Sequence, residues 1–133
     1  MIRFRMIRIL LDTNIVIWAI FKTNLSDEHL ALLSQADEVF VSPLSILEIR
    51  IKQELGKLPL FDISHNIEMM DMAILPFSSS QAESYSLHST PNKDPFDNAL
   101  VSVALTENLT LMTSDKNILE IKNKALKTLD ARN

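Results

Sequence analysis

The sequence predicts an α/β protein, a three-layer α/β/α sandwich around a central, mainly parallel sheet. Short apolar runs alternate along the chain with segments that carry helix start and stop signals. Such alternation is typical of a parallel sheet, because each helix returns the chain to the same end of the sheet. The 133 residues are 47% hydrophobic, which suffices for a buried core, and we predict a single domain over residues 1–133.

The first part of the chain carries clear helix signals. Ser26 and Asp27 place a capping side chain and an acidic first turn before an apolar segment. Pro43 opens a second segment that closes at Gly56, the only glycine in the sequence, and this order is typical of a helix. The predicted elements are a strand over 6–11, helices over 15–21 and 26–36, a strand over 38–42, helices over 43–56 and 64–72, and a strand over 73–77.

The second part of the chain continues the alternation. The serines at 78–80 suit the start of a helix, and Pro95 lies in the first turn of a longer one. The run LTLMT at 109–113 is short and apolar, as expected for a buried strand. The predicted elements are helices over 78–88 and 94–108, a strand over 109–113, a short helix over 115–121 and a last strand over 125–129.

The composition excludes several classes of protein. There is no cysteine, so disulfides and thiolate metal sites are excluded. No apolar run is long enough to span a membrane, and the basic, then apolar, start lacks a signal-peptide cleavage site, so we expect a cytoplasmic protein. Met6 is an alternative start, which would make residues 1–5 a non-native or flexible tail. The net charge of -4 argues against broad charge-driven binding to nucleic acid, but not against an enzyme whose acids hold metal cations.

The helix predicted over 43–56 carries an acid among apolar side chains. At helical spacing Glu48 falls on an apolar face that we expect to point at the core, whereas Glu54 lies off that face. Ile46 and Ile49 would then point away from the core, either toward another part of the same domain or toward a partner, and we favour a surface for a partner. The apolar face is formed by Leu44, Leu47, Ile51 and Leu55.

The helix predicted over 94–108 repeats this arrangement. Asp97 lies within an apolar face near the start of the helix, and Asp94 points to roughly the same side. The apolar side chains of this face are Leu100, Val101, Ala104 and Leu105. Two helices therefore each place a carboxylate on a face that is predicted to meet the core.

Two strands also end in an acid. Asp12 follows the first strand and Asp115 follows the strand at 109–113. In a parallel α/β sheet, binding sites form beyond the carboxyl ends of the strands, where the helical acids Glu48 and Asp97 would meet Asp12 and Asp115. Carboxylates packed in a poorly solvated cleft repel one another, and hard divalent cations such as Mg²⁺ or Mn²⁺ remove that cost.

Each acid also has a purely structural interpretation. Asp12 and Asp115 would cap the helices that follow them, Asp94 before a proline is a strong N-cap, and Asp97 would complete that cap. Glu48 has the weakest structural explanation, because acids on apolar helix faces are rare without a partner. Caps explain these residues singly, but they do not explain why all of them occur in one small domain.

At these residues the chain resembles PIN-domain ribonucleases of the VapC toxin type. The matching pieces are LLDTN at 10–14, SPLSILEIRIKQELGKLPL at 42–60, DPFDNALVSVAL at 94–105 and LMTSD at 111–115. They occur in the family's order and cover nearly the whole chain. The resemblance implies a PIN-like fold, Mg²⁺- or Mn²⁺-dependent cleavage of RNA, homodimerisation, and inhibition by a co-encoded VapB-like antitoxin.

The resemblance also implies roles for individual residues. Asp12, Glu48, Asp97 and Asp115 match the family's four acids in order and are expected to bind the metal, and Asp94 is the extra acid of the DPFD variant. Side chains expected to order the site are Thr13, Asn14 and Thr113. Relatives often have arginine after the second aspartate of DPFD, where this chain has Asn98, so the resemblance assigns the metal site but not the contacts to substrate phosphate. The candidates for those contacts are Lys93, Lys116 and Arg50.

The expected chemistry is hydrolysis of an RNA phosphodiester by water that a divalent cation activates through a lowered pKa. The first alternative keeps the nuclease but gives it a housekeeping role in RNA processing. The other two are a catalytically silent binding module and an α/β protein that forms an aspartyl phosphate. The last needs an acid two residues after its nucleophile, where this chain has Asn14.

Overall fold

In the computed structural model, which describes residues 6–85 and 94–133, parallel strands form one sheet. The strands are short, and the helices that follow them are capped by polar side chains. The strands are β1 (Arg8–Leu11), β2 (Glu38–Val41), β3 (Ala73–Ile74), β4 (Thr110–Thr113) and β5 (Lys127–Asp130). The helices are α1 (Thr13–Phe21), α2 (Asp27–Gln35), α3 (Pro43–Glu54), α4 (Ile63–Met69), α5 (Ser79–Glu83), α6 (Pro95–Thr106) and α7 (Lys116–Leu119).

The strand order, β3-β2-β1-β4-β5, puts the start of the chain at the centre of the sheet. Strand β1 pairs with β2 on one side and with β4 on the other, with Leu11 opposite Met112. From β1 the chain builds outward to β2 and β3, and it then returns to build β4 and β5 on the other side. The order therefore reverses between β1 and β4, and a crevice at this switch point is where open α/β sheets bind ligands.

Alternate strand residues feed two separate apolar layers. Ile9 and Leu11 of β1 pack with Met112 among residues from α1, α3 and α4. Leu10, between them, packs with Leu111 on the opposite face among residues from α6 and α7. Because side chains alternate along a strand, a sheet that is apolar on both faces must be covered by helices on both. The predicted three-layer α/β/α sandwich is thus confirmed.

The predicted elements are found in the predicted order, with shifts at their ends. The third strand is only Ala73–Ile74, and α1 begins at Thr13 rather than after Asn14. The helix predicted over 78–88 is present as α5 over its first half, and residues 86–88 lie outside the described residues, as do the proposed tail 1–5 and Lys93. Within residues 6–85 and 94–133, none of the helices combines the length and the apolarity that a membrane crossing requires.

The predicted core face of α3 is wrong. The buried side of this helix is formed by Ser45, Ile49 and Gln53, and Ile46 packs against the same core, so the interpretation of Ile46 and Ile49 as a surface for a partner is also wrong. Leu47, Ile51 and Leu55, which were expected in the core, are 52%, 41% and 64% exposed. Apolar residues occupy two sides of α3, so the spacing alone does not say which side meets the sheet.

Candidate active site

Asp12 lies at the carboxyl end of β1, and its backbone N–H donates to the Met112 carbonyl of β4 at 2.9 Å. It is 4% exposed. Its Oδ1 accepts a hydrogen bond from the Thr13 backbone N–H at 2.8 Å, and its Oδ2 accepts one from the Thr113 hydroxyl at 2.7 Å. Burial raises the pKa of Asp12 against the lowering effect of these hydrogen bonds, and the charges of Glu48 and Asp115 raise it further. Asp12 is therefore a buried acid with acidic neighbours.

Asp97 approaches the same point from the first turn of α6. It is 7% exposed. Burial, and then the charges of Asp12, Asp94 and Asp115, raise its pKa to about 8, and a hydrogen bond with the Asp115 side chain contributes in the same direction. Burial and the neighbouring acids therefore favour the neutral form of the Asp97 carboxyl in the metal-free cluster.

Asp115 and Asp94 combine capping with membership of this cluster. Asp115 caps α7, and its Oδ1 accepts hydrogen bonds from the backbone N–H groups of Asn117 and Ile118 at 2.7 and 3.4 Å. Asp94 caps α6 by accepting from the Phe96 N–H at 2.9 Å. The predicted caps are thus present, and both acids still act electrostatically on Asp97. Capping and clustering are compatible here because a carboxylate has more lone pairs than a cap uses.

Glu48 completes the cluster from the second turn of α3. Its charge acts on Asp12, and its side chain is 18% exposed. Among the buried polar atoms of the described residues, Glu48 Oε1 has no hydrogen-bond partner. A buried carboxylate oxygen without a donor is costly, and such atoms call for an explanation. A cation at the cluster would satisfy this oxygen.

The donor set fits a hard divalent cation, although the side chains are not yet in ligating positions. The cluster offers only carboxylate oxygens, which Mg²⁺ and Mn²⁺ prefer, and it includes the unsatisfied Oε1 of Glu48. Within the described residues, no group of three or more such side chains is arranged so that it could hold one ion. Binding would therefore require the carboxylates to move closer together, which their mutual repulsion opposes in the absence of a cation.

A buried hydroxyl pair joins the helices that carry Asp12 and Glu48. The Thr13 hydroxyl, next to Asp12, donates to the Ser45 hydroxyl at 2.9 Å, and Ser45 lies one turn before Glu48 on α3. On the other side of Asp12, Thr113 also accepts a hydrogen bond from the Asp115 backbone N–H at 3.0 Å. Ser45 was missed in the sequence, although its spacing of three residues from Glu48 places both on adjoining parts of the helix surface. Asn14, a predicted ordering residue, is exposed.

Of the basic residues predicted to bind phosphate, Arg50 and Lys116 lie among the described residues, and each has an acidic neighbour on its own helix. Arg50 forms an ion pair with Glu54 on the exposed side of α3. Lys116 lies 3.9 Å from Glu120 with 74% of its side chain exposed. Lys52, also on α3, places its ammonium beside a candidate ligand, with Nζ 3.7 Å from Glu48 Oε2. The spacing of four residues between Glu48 and Lys52 was the available sequence signal.

Solved structures with the same fold include members of the VapBC family of toxin–antitoxin systems. A chain of the DNA-bound VapBC from Salmonella typhimurium matches with a TM-score of 0.66 and 17% identity, over 94% of this chain and 98% of that chain. VapBC2 from Rickettsia felis, bound to a promoter fragment, matches with 0.64 and 21%, over 93% and 98%. FitAcB from Neisseria gonorrhoeae matches with 0.62 and 20%, over 92% and 97%. At such identities the likeness shows the fold.

The sequence itself is matched by a family model. No curated protein matches the chain significantly. The model described as PIN domain matches residues 9–124, a span that begins in β1 and includes Asp12, Glu48, Asp97 and Asp115. With that span covered, the chain belongs to the PIN-domain family.

Proposed function

We propose that this protein is an Mg²⁺- or Mn²⁺-dependent endoribonuclease and the toxin of a toxin–antitoxin pair. The observation that carries the proposal is that, in a PIN-domain chain, the charges of Glu48 and Asp115 act on Asp12 and those of Asp12 and Asp115 act on Asp97. Acids from two strand ends and two helices converge where an open α/β sheet binds its ligands.

The residues divide the work of the site. Asp12, Glu48 and Asp97 are the principal ligands, and Asp115 binds or tunes the ion, with Asp94 in support. When bound, the divalent cation activates water by lowering its pKa and stabilises the charge that develops on the phosphodiester oxygens. The Thr113 hydroxyl fixes Asp12 through its Oδ2, and the Thr13–Ser45 pair fixes the separation of α1 and α3. Such supporting hydrogen bonds orient ligands and tune metal affinity.

The activity is tested with purified protein and RNA. Cleavage should require Mg²⁺ or Mn²⁺ and stop with EDTA, and Asp12→Asn and Glu48→Gln should be inactive yet folded, because amides bind hard cations poorly. Glu54→Gln is the matched control, since it neutralises an exposed acid on the same helix as Glu48. Full cleavage in EDTA, or in both active-site variants, would show that this is not a metal-dependent nuclease.

The toxin role rests on the resemblance and on the VapBC toxin–antitoxin structures among those with this fold. Expression of the protein alone should arrest growth, and co-expression of a VapB-like partner encoded beside it should relieve the arrest. Growth that is unaffected by a demonstrably active nuclease would favour the alternative, a housekeeping enzyme of RNA processing.

The expected homodimer has a candidate surface on α3. Leu47, Ile51 and Leu55 form an exposed apolar stripe along this helix. A stripe on one helix can pack against its own copy across a twofold axis, and the exposed area would be removed from water. Leu55→Ser should therefore shift the protein toward monomer in sedimentation experiments. An unchanged dimer would place the contact elsewhere.

A further inference from the structure

Lys52 stands beside Glu48 on α3, one turn further along the helix. Its Nζ is 3.7 Å from Glu48 Oε2, and 31% of its side chain is exposed. Side chains of a helix lean toward its N-terminus, so the long lysine stem brings the ammonium back along α3 toward the acids. The position is thus at the border between the acid cluster and solvent.

The two carboxylate oxygens of Glu48 have different environments. Oε2 faces the Lys52 ammonium, whereas Oε1 is buried without a hydrogen-bond partner among the described residues. The Glu48 charge also acts on Asp12. A cation bound at the cluster would interact with the negative charge of Glu48, which Lys52 now compensates. The attraction between the Lys52 ammonium and Glu48 would therefore weaken.

Two of the cations predicted to contact substrate, Arg50 and Lys116, lie among the described residues and have acidic partners on the surface. Arg50 pairs with Glu54, and Lys116 lies near Glu120. A lysine ammonium is a compact charge on a flexible stem and binds phosphate as a point charge. Lys52 combines this chemistry with a position beside a candidate ligand.

We propose that Lys52 is a substrate-binding residue that pairs with Glu48 in the metal-free protein and binds a backbone phosphate of RNA once a divalent cation occupies the acids. The inference rests on the proposed nuclease function and deepens it by assigning a phosphate contact. In the metal-free protein the Lys52 ammonium compensates the charge of Glu48. In the metal-bound protein it neutralises a phosphate of the RNA.

Because of this double role, removing the charge of Lys52 should strengthen the binding of Mg²⁺ and weaken the binding of RNA. Without the Lys52 ammonium, the acids repel one another more and attract Mg²⁺ more strongly, because like charge near a cation site weakens binding. The same change removes one contact to RNA phosphate and lowers kcat/KM for RNA. A residue that only supported the fold would, when altered, weaken both together.

The test compares Lys52→Met, Lys52→Arg and Lys127→Met. Methionine keeps the stem without the charge, and arginine keeps the charge. Lys127 is an exposed lysine at the amino end of β5, the opposite end of the sheet from the acids. Two quantities are measured for each: the Mg²⁺ concentration that half-saturates the rise in melting temperature, without RNA, and kcat/KM for a single-stranded RNA at several salt concentrations.

We expect Lys52→Met to lower the half-saturating Mg²⁺ concentration several-fold and to reduce kcat/KM. The slope of log kcat/KM against log salt should become shallower by about 0.7, the contribution of one phosphate contact on a single strand. Lys52→Arg should recover most of the slope, and Lys127→Met should match wild type in both quantities.

Two results would overturn the assignment of Lys52 while leaving the nuclease intact. One is an active Lys52→Met variant with the wild-type salt slope, and the other is a variant that binds Mg²⁺ more weakly. A wild-type protein that responds to Mg²⁺ but cleaves no RNA would instead overturn the proposed function, and with it the RNA contact of Lys52.

Discussion

Helices α3 and α6 begin alike and end up in different environments. Each starts with proline after a polar cap, Ser42 for α3 and Asp94 for α6, and each contributes an acid to the candidate site. In α6 every residue from Asp97 to Ala104 is buried. In α3 the buried positions are Ser45, Ile49 and Gln53, Leu44 and Ile46 are partly buried, and Leu47 and Ile51 are exposed.

The comparison shows when an apolar face can be assigned from spacing. The face predicted for α6 was confirmed, with Leu100, Val101 and Ala104 all buried, because a helix enclosed on most sides buries whichever face is chosen. On α3 the apolar residues form two faces, and one packs against the sheet while the other remains at the surface. Periodicity identifies such faces without ranking them.

The difference between the two faces of α3 is tested most directly by truncating one isoleucine on each face. Ile49→Ala removes a fully buried side chain and should destabilise the protein by about 2–5 kcal/mol. Ile51→Ala, two residues away and 41% exposed, should change the stability by only about 0.5 kcal/mol. Urea denaturation at low protein concentration, where association does not contribute, gives both values. Equal losses would mean that the exposed face of α3 is packed in solution.

The next largest effect is expected for Asp97, the acid of α6, on the stability of the metal-free protein. The folded pKa of Asp97 is raised to about 8, above the unfolded value of about 4, so the folded state binds an extra proton between these values. That contribution to stability is complete below pH 4, and it is lost as pH rises from about 4 through about 8. Asp97→Asn should therefore stabilise the metal-free protein at pH 8, by about 1 kcal/mol, and flatten this pH dependence.

Melting curves in EDTA and in Mg²⁺, at pH 5 and pH 8, test this expectation. Mg²⁺ binds the folded state and should raise the melting temperature of wild type, and it should raise that of Asp97→Asn less. Glu54→Gln controls for the loss of a charge on an exposed helix face. If Asp97 served only to cap α6, Asp97→Asn would melt lower in EDTA, and Mg²⁺ would shift neither protein.

The smallest expected effect compares two fully buried serines, Ser45 of α3 and Ser102 of α6. Ser45 accepts the Thr13 hydroxyl from another helix, whereas Ser102 donates to the Asn98 carbonyl of its own helix at 3.1 Å. Ser45→Ala should cost about 1 kcal/mol, because the Thr13 hydroxyl loses its acceptor. Ser102→Ala should cost less, since the helical carbonyl keeps its backbone bond. A larger loss for Ser102→Ala in thermal denaturation would contradict this view.

Several features of the protein follow from its sequence alone. The order of strands and helices was readable from apolar runs, proline starts and capping residues, because these signals act over a few neighbouring residues. The strand-end positions of Asp12 and Asp115 followed in the same way, and a parallel sheet then required them to share one edge. The capping roles of Asp94 and Asp115 were also predictable, because they involve the next backbone N–H groups.

Only the tertiary structure decided which side of α3 meets the core and what surrounds Glu48. Helical spacing fixes the angles of side chains about the helix axis, but the rotation of that helix against the sheet depends on packing with α1 and α6. The buried Ile49, the Thr13–Ser45 hydroxyl pair and the unsatisfied Oε1 of Glu48 all result from that rotation. They join residues distant in sequence or depend on burial, and local patterns carry no information about either.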